Sequence, residues 1–527
     1  MWQEAQMLAR FAAGLRRFLG ERITAETARR TLEDSLRNRE AAFLALLKRA
    51  VFEAERSPYL WLFRRAGIQF EDLCRLVPEE GLEQTLERLL EAGVYLTIDE
   101  FKGRAPLRRG LEEFPMSPAS CDNPIPAGHF PVSSGGSAGA GRRMVVDLDL
   151  LRYESACLLL FAQTAGILGA RCALWRPVPP GSAGIKRALS WAQLGLPFER
   201  WFTTQPYHPL VPRSKSWAVT TIALAASRMA GKPIPSPEYV GLSEAGRVAR
   251  WMADLRRQGL TPHLDTSVST AILAARAAQQ EGLDISGAFV RVGGEPLTPG
   301  RAALLRKEGC RFAAHYAIAE SGPVGIACSD PAAADDAHLL EGKMAAVMRA
   351  GVPGMRCPDG IAPLYLTTLL AASPKIMINV ESGDTAVMER RACSCLFGEM
   401  GLQTHLHSIR SYEKLTAGGM HFLGSTLIRL VEEILPGRFG GDPTDYQFVE
   451  SDSCGLAGVR LRIHPRLSGV DEARVLETVF AELARGGAAD RMMAEQWRQG
   501  GVLKTERTAP QATAAAKILP LRIRDTE

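Results

Sequence analysis

The stretch Ala288-Phe289-Val290-Arg291-Val292-Gly293-Gly294-Glu295 decides how this chain folds. Its opening residues form a short apolar run of strand character, and the Gly-Gly pair ends that run in a tight turn. Just before it, from Thr266 to Glu281, apolar residues recur at helical spacing. Apolar runs alternate with helical patterns in this way from Arg143 to about Arg349, which is the mark of an α/β domain. Ligands in such folds collect beyond the carboxyl ends of the strands, so Gly293 and Glu295 are predicted to stand at a binding site.

Working outward, a β-rich portion around Ala362 to Val387 completes a large N-terminal domain. Upstream, from Met1 to about Leu90, apolar residues recur every three or four positions, as in Leu32-Leu36 and Phe43-Leu44-Leu47. These read as helices packed around the large domain. The segment from Lys102 to His129 is rich in Pro, Gly and Arg and reads as irregular. The apolar stretch from Ala156 to Trp175 is broken by Gln163, Thr164 and Arg171. It is too short for a membrane span and reads as a buried helix leading into a strand. After Arg410 the pattern becomes a small α/β unit, with a helix from Leu423 to Leu435, a strand from Gly458 to His464 and a helix from Asp471 to Arg485. The predicted domains are therefore 1–410 and 411–527, with a hinge from Ser411 to Glu413.

With 527 residues, 46% hydrophobic and 23% charged, and a net charge of only +5, the chain is a globular protein of two or more domains. Its acids and bases interleave, which provides no face for nucleic acid and no polybasic membrane segment. Ten cysteines without an export signal read as thiols or metal ligands, and the expected location is the cytoplasm.

Ser133-Ser134-Gly135-Gly136-Ser137-Ala138-Gly139-Ala140-Gly141-Arg142-Arg143 follows the apolar Phe130-Pro131-Val132. Glycines let the backbone approach a polyphosphate, hydroxyls and bare N–H groups face its oxygens, and arginines add positive charge. The same composition also suits a flexible linker. Along the chain there then follow Gly293-Gly294-Glu295, Tyr316-Ala317-Ile318-Ala319-Glu320, Ser382-Gly383-Asp384 and, near the C-terminus, Lys517.

In that order these motifs resemble the acyl-adenylate-forming superfamily, and within it the phenylacetate–CoA ligase-like branch. The resemblance implies a large adenylating domain of mixed sheets with flanking helices, and a small mobile C-terminal α/β domain. It also implies that a carboxylate is activated with ATP and Mg²⁺ to an acyl-adenylate, with release of pyrophosphate, and then passed to the thiol of CoA. The alternatives are an amine or a carrier-protein thiol as acceptor, or a relative that binds nucleotide without turnover.

By the same resemblance Ser133, Ser134, Gly135, Ser137, Gly139 and Arg142 would hold the phosphates. Gly293, Gly294 and Glu295 would lie beside the adenine, Tyr316 would stack on it, and Asp384 would take the ribose hydroxyls. Glu320 would hold Mg²⁺, Arg410 would sit at the hinge with Glu413, and Lys517 would be the mobile catalytic lysine. The family's pattern is changed at Ala317, Ala319 and Ala516, where relatives carry glycine, a hydroxyl residue and glycine. An aryl or arylalkyl acid follows from the branch alone, with Trp201, Phe202, His208, His263 and Phe289 as candidate walls of its pocket.

Cys328, His338, Cys393 and Cys395 offer three thiols and an imidazole, a donor set for a structural tetrahedral Zn²⁺. The competing reading is a set of buried reduced cysteines. Cys310, Cys357, Cys454, His405 and His407 are alternative ligands, the last two expected in a loop before the hinge.

Overall fold

The computed structural model describes residues 2–125, 130–133, 143–179, 182–204, 207, 215–352, 362–411, 424–453, 456–485, 494, 497–498, 503–513 and 517–522. Six strands form the central sheet: β1 (Arg171–Trp175), β2 (Phe198–Thr203), β3 (Pro237–Tyr239), β4 (Pro262–Thr266), β5 (Phe289–Gly293) and β6 (Arg311–His315). All are parallel and lie in the order β6-β5-β4-β1-β2-β3. The chain winds outward from β1 to β3, crosses back to β4, and winds the other way to β6. The reversal between β1 and β4 opens a crevice at their carboxyl ends, where doubly wound sheets place ligands.

Alternating side chains give this sheet two buried faces. Cys172, Leu174 and Phe289 pack with Phe161 of helix α1 (Leu148–Thr164) and Leu189 and Trp191 of α2 (Ser182–Leu194). Ala173, Trp175, Leu264, Val290 and Val292 face the other way, onto Val248 and Met252 of α3 (Ala245–Arg257) and Ile272 and Ala275 of α4 (Val268–Glu281). Each large apolar side chain removed from water contributes roughly 1.5–3 kcal/mol, which makes this two-sided core the main stabilising term. Helix α4 begins at Val268 rather than Thr266 because Thr266 completes β4 and the Ser267 hydroxyl caps the first turn, accepting from the Thr270 N–H. It ends at Gly282, whose φ of 63° is left-handed.

Phe11, Leu15, Phe18 and Leu32 of the N-terminal helices pack against α1 in the first core. The helices from Arg39–Leu47 to Leu82–Glu91 cover an antiparallel sheet of β9 (Met344–Met348), β10 (Leu364–Thr368) and β11 (Val380–Glu381). A second antiparallel sheet has the order β7-β8-β13-β12, from Gly325–Ala327, Ala337–Leu339, Thr404–Ser411 and Asp384–Arg390 in that order. His405 and His407 thus lie within β13, not in a loop as expected; its pairing with β12 takes them into the sheet. The segment expected to be irregular holds an antiparallel hairpin, Leu107–Arg109 with Glu112–Phe114.

The C-terminal portion has its own apolar core of Leu430, Val431, Tyr446, Phe448, Leu461, Ile463, Val475 and Val479. Its sheet runs Leu503–Glu506, Leu456–Ile463, Tyr446–Ser453, Leu521–Arg522. The helix expected from Leu423 to Leu435 is Gly424–Arg429, a π-turn at Leu430–Ile434 and Leu435–Phe439. Charged contacts join this portion to the central sheet. Arg276 of α4 meets Asp442 and, at 3.2 Å, Asp445, while Arg301 of the helix Pro299–Lys307 meets Glu432 at 3.2 Å. Among the described residues no helix is long and apolar enough to cross a membrane.

Candidate active site

β5 and β6 are neighbours, with Gly293 opposite His315, so Gly294 and Tyr316 emerge side by side from the sheet edge. Gly294 has a φ of 83°, and a β-carbon there would lie 3.2 Å from Lys517 Nζ. Only glycine adopts this backbone without strain and leaves room for the amine. The Lys517 ammonium donates to the Gly294 carbonyl at 2.5 Å. The following residue anchors it: the Ile518 N–H donates to Ser269 Oγ at 3.0 Å, and Arg301 Nη2 donates to the Ile518 carbonyl at 3.3 Å.

Glu295, next in the chain to Gly294, is held by its neighbours. Its carboxylate accepts from the Ser269 N–H at 2.9 Å, from the Ser269 hydroxyl at 2.7 Å and from Arg301 at 3.2 Å, and its side chain is fully buried. At the N-terminus of α4 a carboxylate is stabilised by the helix's unpaired N–H groups. Glu295 therefore holds the turn that presents Gly294, and its carboxylate faces the helix.

Beyond β6, the Tyr316 hydroxyl donates to Asp384 Oδ2 at 2.8 Å. Burial, and then the Asp384 charge, push the Tyr316 pKa well above the usual phenol value, so it stays a donor. Asp384 opens β12 after Gly383, which has a φ of 79°. Across the pair of strands, Ser411 lies opposite Asp384 and Arg410 opposite Thr385. The Arg410 guanidinium reaches Asp335 at 3.3 Å, and the same carboxylate accepts the N–H groups of Ser408 and Ile409.

Glu320 is half-buried at the turn of a short hairpin, Ala317–Ile318 with Gly322–Pro323. Fully buried Lys343 fastens this turn from behind by donating to the carbonyls of Ser321 at 2.6 Å and Pro323 at 2.7 Å. Burial pulls the Lys343 pKa down to about 8. Gly322 packs so tightly that a β-carbon would lie 2.2 Å from Glu154, which pairs with Lys186 at 2.8 Å.

The glycine- and serine-rich stretch is flanked by a hairpin, Phe130–Ser133 with Arg143–Val146, in which Ser133 pairs with Arg143. Ser134, Gly135, Ser137, Gly139 and Arg142 lie outside the described residues, as do His208, Cys357, Glu413, Cys454 and Ala516. Of the candidate pocket walls, Trp201, His263 and Phe289 belong to the α1–α2 face, while Phe202 packs on the opposite face and cannot share a pocket with them.

Cys328, His338, Cys393 and Cys395 place their four donor atoms within 4.8 Å of one another. Cys328 Sγ is 3.3 Å from Cys393 Sγ and 3.9 Å from Cys395 Sγ, and His338 Nε2 is 2.9 Å from Cys395 Sγ. A tetrahedral zinc site with Zn–S bonds of ~2.3 Å has sulfurs about 3.8 Å apart, so the set fits. His338 Nδ1 lies 2.8 Å from the Leu402 carbonyl, which fixes the ring with Nε2 toward the thiols. Hydrogen bonds from Cys328 and His338 hold Cys395 well below the ordinary thiol range. The His405 ring lies tilted against His338, 4.0 Å between ring centres, and bonds Asp336 at 2.8 Å, which makes it a neighbour of this cluster. Cys310 is buried near Ile285 in another core.

Sequence reasoning missed Ser269, Arg301, Asp265, Arg176, Arg187 and Arg291. The available signal was a charge inside an apolar strand: Arg291 between Val290 and Val292, and Asp265 after Leu264.

No family model matches the chain, and no curated protein matches it. Solved structures do. A 2-hydroxyisobutyryl-CoA ligase in complex with 2-HIB-AMP and CoA aligns at 15% identity over 96% of this chain and 91% of its own, with a TM-score of 0.45. O-succinylbenzoate coenzyme A synthetase from Bacillus subtilis, in complex with ATP and magnesium ion, aligns at 11% identity over 82% and 76%, with a TM-score of 0.45. The McyG A-PCP protein complexed with phenylalanyl-adenylate aligns at 10% identity over 84% and 73%, with a TM-score of 0.42. Likeness at these scores is one of overall chain course.

Proposed function

We propose that this protein activates an organic acid as its acyl-adenylate and transfers the acyl group to the thiol of CoA. The observation that carries this reading is Lys517. A lysine from the C-terminal portion reaches the carboxyl end of β5 and donates to Gly294, beside the Tyr316–Asp384 pair.

In the first half-reaction a carboxylate oxygen of the acid attacks the α-phosphorus of ATP, a P–O bond forms, and the bond to pyrophosphate breaks. Charge grows on both reacting groups, and an ammonium that offers three N–H donors suits that change. Asp384 supplies carboxylate oxygens for the ribose hydroxyls, and Tyr316, held by Asp384, supplies a ring for the adenine. Mg²⁺ bound by Glu320 would neutralise phosphate charge, and Lys343 keeps the Glu320 turn in place. In the second half-reaction the thiol sulfur attacks the acyl carbon, the C–O bond to AMP breaks, and the thiol proton leaves to solvent. Lys517 must withdraw between the two steps, so the portion from 411 onward acts as a mobile lid.

The Cys328–His338–Cys393–Cys395 set takes Zn²⁺ in a structural role, tying the segment after Glu320 to the strand that leads from Asp384. Four protein donors leave no open position for a substrate. Metal analysis of the full chain should find one zinc per chain; none under reducing, chelator-free conditions would end this part of the proposal.

The activity is tested by pyrophosphate release with ATP, Mg²⁺ and a panel of acids, with hydroxylamine present to trap activated acyl groups. Acid-dependent release with hydroxamate formation is expected, followed by thioester formation on adding CoA. Transfer only to an amine or a carrier protein would replace CoA as the acceptor. ATP binding with no release for any acid would overturn the enzymatic reading.

A further inference from the structure

On the α1–α2 face of the sheet, just inside the Gly294 edge, lies a group of charges that the reaction above does not use. Asp265 of β4 is fully buried and meets three guanidinium groups: Arg176 at 2.5 Å, Arg291 at 2.8 Å and Arg187 at 3.4 Å. Arg176 follows β1, Arg291 stands on β5 in register with Asp265, and Arg187 projects from α2. Gly184 brings α2 close; a β-carbon there would lie 2.3 Å from the Pro177 carbonyl. The neighbouring Glu154 is surrounded in the same way by Lys186, Lys343 and Arg187, which together hold its carboxyl below the usual range against the cost of burial.

These cations outnumber the carboxylates between them. Among the described residues Asp265 and Glu154 are the carboxylates paired with five cations, Arg176, Arg187, Arg291, Lys186 and Lys343, of which Arg176 and Lys343 also donate to backbone carbonyls. Unmatched buried charge is expensive, and the strain shows: burial and the Arg187 charge pull the Arg291 pKa down to about 9. Unpartnered polar atoms stand on the same face. Arg291 Nε, both ring nitrogens of His263 and Nε2 of His315 are buried with no hydrogen-bond partner. The cluster is not sealed, since the side chains of Arg176 and Arg187 keep 12% and 15% exposure.

Its position identifies the ligand. Arg291 stands three residues before Gly294, and His315 directly precedes Tyr316, so the cluster lies about 10 Å along the strands from the Lys517 site. A ligand of that span would join the Lys517 site to the arginines. We infer that the acid activated here is a dicarboxylic acid, with one carboxylate at the Lys517 end and the second received by Arg176, Arg187 and Arg291. The inference rests on the adenylation reading. A planar guanidinium pairs with a carboxylate through two parallel hydrogen bonds, and the substrate's second carboxylate would lower the excess positive charge by one.

The test compares succinate, glutarate, adipate and phthalate with butyrate, valerate, hexanoate and benzoate in ATP–pyrophosphate exchange by the full chain. At least one diacid should exceed its monoacid partner in kcat/KM by about tenfold to a hundredfold, the range of a charged hydrogen-bonded contact. Arg187→Met should collapse that preference mainly through KM, and Arg187→Lys should restore part of it. Equal use of diacids and monoacids, or a preference unchanged in Arg187→Met, would overturn the inference while leaving adenylation intact. If no acid supports exchange, thermal shift decides. A rise in Tm with a diacid but not its monoacid, lost in Arg187→Met, upholds the anion site, and no diacid-specific shift removes it.

Discussion

Two buried arginine clusters sit within a few residues of the same strand ends, and they differ in charge balance. Around Arg301, two acids face one guanidinium: Glu295 at 3.2 Å and Glu432 at 3.2 Å, with all three side chains nearly inaccessible. Around Asp265, three guanidiniums face one acid. In the first cluster the single guanidinium lies between two carboxylates of the protein itself and donates to the Ile518 carbonyl as a further acceptor. The second holds more cations than the protein neutralises. A cation enclosed by the protein's own acids ties segments together, whereas a group of cations in excess of its acids is disposed to bind an anion.

The largest way to break this comparison is Arg301→Met. It leaves Glu295 and Glu432 buried without their partner and should cost about 3–5 kcal/mol in denaturant unfolding, with loss of adenylation because Ile518 and Lys517 lose their anchor. Lys517→Ala separates chemistry from support. It should lower adenylate formation by about 10²- to 10³-fold while leaving Tm and the conversion of a supplied acyl-adenylate nearly unchanged. Equal loss of both half-reactions would refute the mobile-lysine role.

The smallest effect concerns His263, beneath the unmatched cluster. Burial pulls its pKa from 6.5 down to about 3, so it stays neutral in the folded protein while the unfolded chain protonates it. Its contribution is fully present above pH 6.5 and is lost as pH falls toward 3. Relative to His263→Phe, the wild type should lose roughly 2 kcal/mol between pH 6.5 and about pH 4.5, read from urea midpoints. Parallel pH profiles for the two proteins would show that His263 is not the titrating group.

Much of the fold was legible locally. The alternation of apolar runs with helical spacing located the sheet, and the Gly293-Gly294 pair located its edge, because both depend on neighbours a few residues apart. Tyr316, Asp384, Arg410 and Lys517 were named from their motifs, and the structure brings Lys517 to Gly294 and Tyr316 to Asp384. For Glu295 the motif says where the backbone turns, but the direction of its carboxylate is set by Ser269 and Arg301. His405 and His407 misled, since pairing between β12 and β13 is long-range.

By itself, the sequence determined the periodic elements, the tight glycine turns and the types of reactive side chain, all of which follow from local sterics and chemistry. Only the tertiary structure decided which of those side chains meet. The strand order set three arginines against Asp265, and the docking of the C-terminal portion set Lys517 against Gly294. Those contacts depend on how buried surfaces from distant segments fit together, and no local pattern carries that information.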